Sequence, residues 1–395
     1  MSAKIRIGYI PLVDAAALLV ATDCGFAESE GLAVELIREV SWSNVRDKLN
    51  IGLFDAAHLL SPMAIASSLG IGHIRVPLIA PYNLGLNGNA ITVSPRLHAA
   101  LSGAADGDLT DPKVSSRALA KVVAERKARG LEPLAFGMTF PFSNHNYQLR
   151  FWMAAGGVDP DEDVRLVVLP PPYMVESLTS GHVDGFCVGA PWNSVAVDSG
   201  VGRILHFGCE IVARMSEKVL AVREGWANDN LVTVAALIRA LANASAFADD
   251  PRNAAAISDV IARRLGVASE LVMRSLTGRL TVASDGTSRA SSDYMLIGRD
   301  GASRPDPVQA AWLYAQIARW GQAPLLTDLA AKAQGVFRPD LYDAALGSVP
   351  RAPTQRPRDG IGAFAGPDFA AEDPAGYLNA WAIRRPGRPR LSIVN

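Results

Sequence analysis

The run FSNHNYQLRFWMAAGGVDP, from Phe142 to Pro160, opens on Asn144-His145-Asn146, side chains that hydrogen-bond rather than pack. Ser143 stands where an N-cap belongs and Gly156-Gly157 where a helix stops. The first turn of a helix leaves backbone N–H groups without partners, and the aligned dipoles add partial positive charge. A small anion suits such a place, and His145 can add a side-chain N–H and gain a proton beside negative charge. Four further stretches carry donors at comparable positions. SWSN puts Trp42, whose indole can only donate, straight after a strand. LNGN puts Asn87 and Asn89 around a glycine that permits close backbone approach. GHVDGFCVGAPW ends a strand at Gly189, before Pro191-Trp192, and SEKVL starts an apolar strand with Lys218. Each has a plainer reading: a satisfied local turn for His145, seam packing for Trp42 and Trp192, an ordinary turn around Gly88, a solvated Lys218.

Catalytic and metal signatures are missing. There is no HExxH, GxSxG, P-loop or CxxC, and LNGNA lacks GxGxxG spacing and precedes a strand. Asp161-Glu162-Asp163 reads as a solvated turn. No cofactor and no metal is expected, and the chain is expected not to be an enzyme. The enzyme alternative would need a His or Cys cluster that the sequence does not display. Net charge is −1, which gives no electrostatic footprint for nucleic acid. The three cysteines, Cys24, Cys187 and Cys209, are widely spaced and read as free buried thiols in a reducing compartment. No apolar signal core precedes the first strand at Lys4, no uninterrupted apolar run of membrane-spanning length is present, and a cytoplasmic location is expected.

With 395 residues, 49% of them hydrophobic, two domains are the default. Strand-like segments at Lys4–Ile10, Leu32–Val40, Asp55–Leu60 and Val76–Pro81 alternate with helix-like ones at Asp14–Glu30, Ser43–Ile51 (capped by Ser43) and from Pro62 to Gly70. This predicts a parallel sheet with helices on both faces. A second unit follows: strands Ala90–Val93, Leu134–Thr139, Val164–Leu169 and Val183–Val188, with helices Ser116–Arg129 and Pro171–Ser180. Ala100–Pro112 reads as a loop at a domain crossing. Later helices are expected at Leu231–Ala248, Pro251–Leu265 and Pro307–Trp320, with Trp312 and Trp320 as core. Ala352–Pro374 should wrap the surface, and the basic tail Arg384–Arg390 reads as frayed. One lobe is drawn as 1–93 plus 206–395 and the other as 94–205, with ligand bound in the cleft at strand carboxyl ends and helix N-termini.

Six stretches carry a resemblance: AHLLSPM ending at Met63, LNGNAIT at Thr92, HNYQLRFWMAAGG at Gly157, PPPYMV at Val175, VDGFCVGAPWN at Asn193 and RWGQ at Gln322. Together they resemble the nitrate- and bicarbonate-binding proteins of ABC importers, and within that family most of all the soluble nitrate sensors of NasS type. The resemblance implies an α/β, type II periplasmic-binding-protein fold whose two lobes close on an oxyanion. It implies ligand-binding roles for Trp42, Asn89, His145, Gly189 and Lys218. Two positions depart from the family pattern: Asn89 stands in place of Gln, and Ala190 in place of Glu or Asp before Pro-Trp. In this family bicarbonate binders carry an acidic residue where nitrate binders carry Lys, so Lys218 favours nitrate or nitrite, with Glu217 next to it. The sensor resemblance further implies ligand-dependent release of a NasT-type RNA-binding antiterminator. The alternatives are the substrate-binding component of a nitrate or bicarbonate importer, or an enzyme on the same fold of the kind that acts in pyrimidine-precursor synthesis.

Overall fold

The computed structural model describes residues 4–347 and 357–385. Its strands, in chain order, are β1 Ile5–Tyr9, β2 Val34–Arg38, β3 Ala56–Leu60, β4 Leu78–Asn87, β5 Asn89–Val93, β6 Ala135–Met138, β7 Arg165–Val168, β8 Gly185–Gly189, β9 Arg203–Phe207, β10 Ser216–Arg223, β11 Arg279–Thr281, β12 Ser288–Ala290 and β13 Met295–Leu296. A six-stranded sheet has the order β13-β4-β10-β3-β1-β2, a five-stranded sheet the order β7-β6-β8-β5-β9, and β11-β12 form a separate hairpin.

Neither large sheet is purely parallel. In the first, β1 runs parallel to β2 and β3, while β10 is antiparallel to β3 and β4. In the second, β6 is parallel to β7 and β8, while β5 is antiparallel to β8 and β9. The reason is the crossing. Strand–helix–strand units generate parallel pairs, but β4 passes directly into β5 through Gly88 alone, and β10 returns from the second sheet. A boundary at 93/94 would place β5 in the first sheet, and one at 205/206 would divide β9; the sheets exchange the chain at Gly88 and beyond Phe207.

Gly88 has φ +88°, and Asn87 also sits in the left-handed region at φ 63°. The Asn87 amide holds that turn by donating to Ala213 O and Asp293 O, at 2.8 and 2.9 Å, and by accepting from Met215 N at 3.0 Å. Asn87 is therefore a structural pin of the crossing, and Asn89 is the residue of the pair left for the cleft.

Several local expectations change. The segment read as one helix, Asp14–Glu30, is a short 3-10 turn, a helix Ala16–Asp23 and a further turn at Phe26–Ser29. Ser41, not Ser43, caps the helix Trp42–Asn50, its oxygen accepting from Asn44 N. The stretch read as a loop is half helix: Pro95–Ala104 is capped by Ser94, and Pro112–Ala128 by Asp111. The cysteines are free, but Cys24 is exposed and Cys209 only partly covered. Trp312 and Trp320 lie in the core. The helix Leu231–Asp249 is long and apolar enough to cross a membrane by length and composition. Here its Val234, Leu237, Ile238 and Leu241 face are buried in the first sheet's core.

The C-terminal strap binds both units. Phe364 N donates to Ile211 O at 3.0 Å, and the Trp381 ring stacks edge-on to Phe151 at 4.9 Å. Arg385 pairs with Asp159 at 2.6 Å and Asp161 at 3.3 Å, beyond the helix Asn144–Ala155, while its backbone N donates to Arg319 O. The wrapping segment expected at Ala352–Pro374 and the basic tail are described only from 357 and up to Arg385; the remainder lies outside the described residues.

Candidate functional site

The helix Asn144–Ala155 enters the site as the capping pattern predicts. Ser143 is extended, and its hydroxyl accepts from Asn146 N at 3.1 Å. The two asparagines are tethers. Asn146 donates to Pro141 O at 2.7 Å, and Asn144 reaches across to the backbone O of Ser216 on β10. Between them only His145 turns its ring to the cleft. Its Nδ1 lies 2.9 Å from the Thr139 hydroxyl, and its Nε2 is buried without a hydrogen-bond partner, 3.6 Å from Glu217 Oε1. A Thr139 hydroxyl donating to Nδ1 leaves the ring proton on Nε2, facing the site. Burial pushes the His145 pKa down to about 4, against the pull of Glu217. The expectation that this imidazole gains a proton readily is therefore reversed: burial favours the neutral ring, which is a donor at Nε2 when Thr139 donates to Nδ1.

Lys218 is fully buried rather than solvated. Its ammonium donates to Asp14 Oδ2 at 2.7 Å and to Glu217 Oε1 at 2.6 Å. Burial opposes its charge, but Asp14 and Glu217 outweigh burial and raise its pKa above the ordinary lysine value. Asp14 shows the converse: burial works against the carboxylate, and Lys218 and His58 overcome it and hold Asp14 well below the usual range. His58 Nε2 lies 3.0 Å from Asp14 Oδ1, with its own pKa lowered by burial.

Adjacent residues of a strand normally point to opposite faces. Glu217 and Lys218 share a site because β10 is bulged. Ser216 lies opposite Leu86 and Lys218 opposite Gly85, so Glu217 is an extra residue between two consecutive partners.

The other three candidates arrive from both sheets. Trp42 begins its helix after β2; its ring centroid is 5.2 Å from Lys218 Nζ and 5.5 Å from the His58 ring, and its buried indole N–H has no partner. Asn89 and Gly189 are directly paired on β5 and β8. Asn89 Nδ2 donates to Glu217 Oε2 at 2.7 Å, with Gln148 Oε1 at 3.3 Å. A Cβ on Gly189 would lie 3.3 Å from Asp14 Oδ2, a tight contact, and 3.5 Å from Asn89 Oδ1, an ordinary one, so a side chain there would crowd Asp14. Trp42, Asn89, His145, Gly189 and Lys218 thus meet in one sealed cluster, Trp42 being the most exposed of the four side chains at 2%. Chemically it offers an ammonium, two N–H groups without partners and an amide to a small acceptor-rich ligand, and two carboxyl groups to that same ammonium.

The model of the NMT1-like family matches residues 1–262 of the chain. The chain belongs to the NMT1-like family. Within it the relatives place the chain in the nitrate- and bicarbonate-binding group. The nitrate/nitrite binding protein NrtA of Nostoc sp. (strain PCC 7120 / SAG 25.82 / UTEX 2576) is 30% identical over 97% of this chain and 86% of its own length. The nitrate import ATP-binding protein NrtC of Synechocystis sp. (strain ATCC 27184 / PCC 6803 / Kazusa) is 32% identical over 97% of this chain. The match takes in 56% of NrtC, and the chain likewise spans about half the length of the bicarbonate transport ATP-binding proteins CmpC. Among solved structures, the periplasmic nitrate-binding protein NrtA from Synechocystis PCC 6803 superposes with a TM-score of 0.86 at 26% identity, covering 96% of this chain and 98% of that one. The periplasmic-binding-protein fold expected for the chain is its fold.

Sequence reading missed Asp14, His58 and Glu217 as members of the cluster, together with Gln148. A signal existed for three of them. Asp14 is the one charge in IPLVDAAALLV, His58 interrupts AAHLL, and Gln148 lies one helical turn beyond Asn144. A charged or amide group inside an apolar run is buried, and a buried polar group needs a partner. Elsewhere, Ser115 Oγ lies 2.6 Å from His206 Nε2, and His206 Nδ1 lies 3.7 Å from Glu210 Oε2, a spacing like that of a nucleophile relay. Ser115 and His206 are completely buried, and the Ser115 oxygen also accepts from Trp152 Nε1 at 2.9 Å, so this is an internal knot joining helix and sheet.

Proposed function

We propose that the chain binds a small planar oxyanion, nitrate or nitrite, in the cleft between its two sheets, as the substrate-binding component of an import system does. The observation that carries this reading is the presence of two buried side-chain nitrogens without hydrogen-bond partners, Trp42 Nε1 and His145 Nε2, in the cluster built around the Lys218 ammonium, Asn89 and Gly189. Nitrate only accepts hydrogen bonds, and a buried donor without an acceptor costs about 1–3 kcal/mol. A ligand that supplies acceptors to both donors recovers that cost. The names of the relatives that span the chain, nitrate/nitrite binding proteins, favour the same reading.

We assign the chain no catalytic step, since its relatives carry the names of binding and import components. The sensor reading differs in its partner and compartment rather than in its ligand. Release of an antiterminator would be tested by co-purification with and without nitrate, and a cytoplasmic location by cell fractionation of the full-length protein. The ligand itself is tested by thermal melting of the purified chain in nitrate, nitrite, bicarbonate and chloride. A ligand that binds only the folded state raises Tm. Nitrate or nitrite should raise it, chloride should not, and His145→Ala should lose the rise. Equal responses to all four salts would overturn the proposal.

A further inference from the structure

Lys218, Asn89 and His145 turn toward one group of the chain itself, Glu217. Its Oε1 accepts from Lys218 Nζ at 2.6 Å and faces His145 Nε2 at 3.6 Å, and its Oε2 accepts from Asn89 Nδ2 at 2.7 Å. Three of the residues assigned to the ligand thus surround one flat carboxylate with a single negative charge. Nitrate, nitrite and bicarbonate share that charge and that planar arrangement of acceptor oxygens. We infer that Glu217 is an internal competitor, which holds the site in the absence of ligand and must leave Lys218 and Asn89 before an oxyanion can take their hydrogen bonds. This rests on the oxyanion reading above and deepens it: the strength of binding is set by how readily the chain's own carboxylate is displaced.

Two features of the structure support displacement. The first is charge. Asp14 already accepts from Lys218 at 2.7 Å, so the ammonium keeps a partner when Glu217 departs. If Glu217 stayed, the incoming anion would share one ammonium with two carboxylates in a sealed space, where like charges repel strongly. The other titratable groups facing Glu217 do not relieve this: His145 from its helix and His58 from β3 are both held toward the neutral form by burial, and Cys187 from β8 has its thiol pKa raised by burial. The second feature is freedom. Glu217 is the extra residue of the β10 bulge, outside the regular pairing that fixes Lys218 to Gly85 and Leu60. A bulged residue can re-aim its side chain without breaking the ladder on either side.

The alternative role for a carboxylate here is to accept a hydrogen bond from a protonated ligand such as bicarbonate, and it predicts the opposite effect of neutralising Glu217. Calorimetric titration of the full chain, Glu217→Gln and Glu217→Ala with nitrate, nitrite and bicarbonate separates the two. Glu217→Gln keeps the shape of the side chain, and thermal melting beforehand shows whether each variant folds. Displacement predicts nitrate or nitrite binding about ten- to a hundredfold tighter in both variants, the worth of one charge-assisted hydrogen bond no longer broken. If the native chain binds and the variants bind equally or more weakly, the competitor role is overturned while the oxyanion reading stands. If neither the native chain nor a folded variant binds any of the three anions, the oxyanion reading fails and this inference fails with it. A crystal structure of the nitrate complex with Glu217 still on Lys218 and Asn89 would overturn the inference as well.

Discussion

Replacing Lys218 with methionine keeps the length of the side chain and removes its charge. Asp14 and Glu217, respectively 5% and 1% exposed, would then lose the ammonium that lies 2.7 and 2.6 Å from their oxygens. Removing one partner of a buried ion pair costs about 3–5 kcal/mol, because the other charge stays buried and uncompensated. Against a typical total of about 5–15 kcal/mol, that is a large part of the stability of the fold. Lys218 is thus as much a structural residue as a candidate ligand, and a binding assay on Lys218→Ala alone would confuse the two roles. The cost should depend on pH in a definite sense. In the native chain Asp14 is held below its ordinary value, so its contribution is present above that value and is lost as pH falls through the folded pKa. The Lys218 pKa is raised, so its contribution is constant below the ordinary lysine range. In the variant, burial is no longer opposed by Lys218 and lifts the Asp14 pKa, so the penalty is greatest near neutrality and shrinks toward about pH 4. Urea unfolding at several pH values measures both. Adding Glu217→Gln to Lys218→Met removes one of the stranded charges and should restore about 1–3 kcal/mol. A loss below about 1 kcal/mol at neutral pH, or one that does not narrow on acidification, would refute the reasoning.

His145 gives a second pH signature. Its folded pKa is about 4, below the ordinary 6.5, so the unfolded chain gains a proton that the native chain refuses and stability falls as pH drops through that window. The share belonging to His145 is about 2 kcal/mol at about pH 5, and His145→Gln should show correspondingly less loss between neutral and mildly acid urea melts. Gly189→Ala should weaken oxyanion binding while the chain stays folded, because the added methyl lies 3.3 Å from Asp14 Oδ2 and 3.5 Å from Asn89 Oδ1; titration together with a thermal melt checks both halves.

How much of this was legible depended on whether the determinant was local. Both ends of the helix Asn144–Ala155 are written in the sequence, in Ser143 and in Gly156-Gly157, and the structure follows them. Ser94-Pro95 and Asp111-Pro112 are equally local cap signals, and they are passed over when Ala100–Pro112 is read as a loop. The mixed sheets were not legible, because the direction of β5 follows from a one-residue crossing at Gly88 and from partners far along the chain. The joint inward placement of Glu217 and Lys218 depends on the bulge against β4, which strand alternation alone contradicts. The residues alone pointed to donors at strand ends and helix starts, the family resemblance singled out Trp42, Asn89, His145, Gly189 and Lys218, and the structure brings all five together. Asp14 went unseen because it looked like an isolated charge, and Glu217 was read only as the neighbour of Lys218, since strand alternation turns neighbours to opposite faces.

The central claim is that the cluster takes a flat monoanion. Calorimetric titration of the purified native chain with nitrate and nitrite, with sulfate as the control, tests it most directly. The account predicts saturable one-to-one binding of nitrate or nitrite and none of the dianion. Absence of heat from both nitrate and nitrite, or binding of sulfate as tight as theirs, would contradict it.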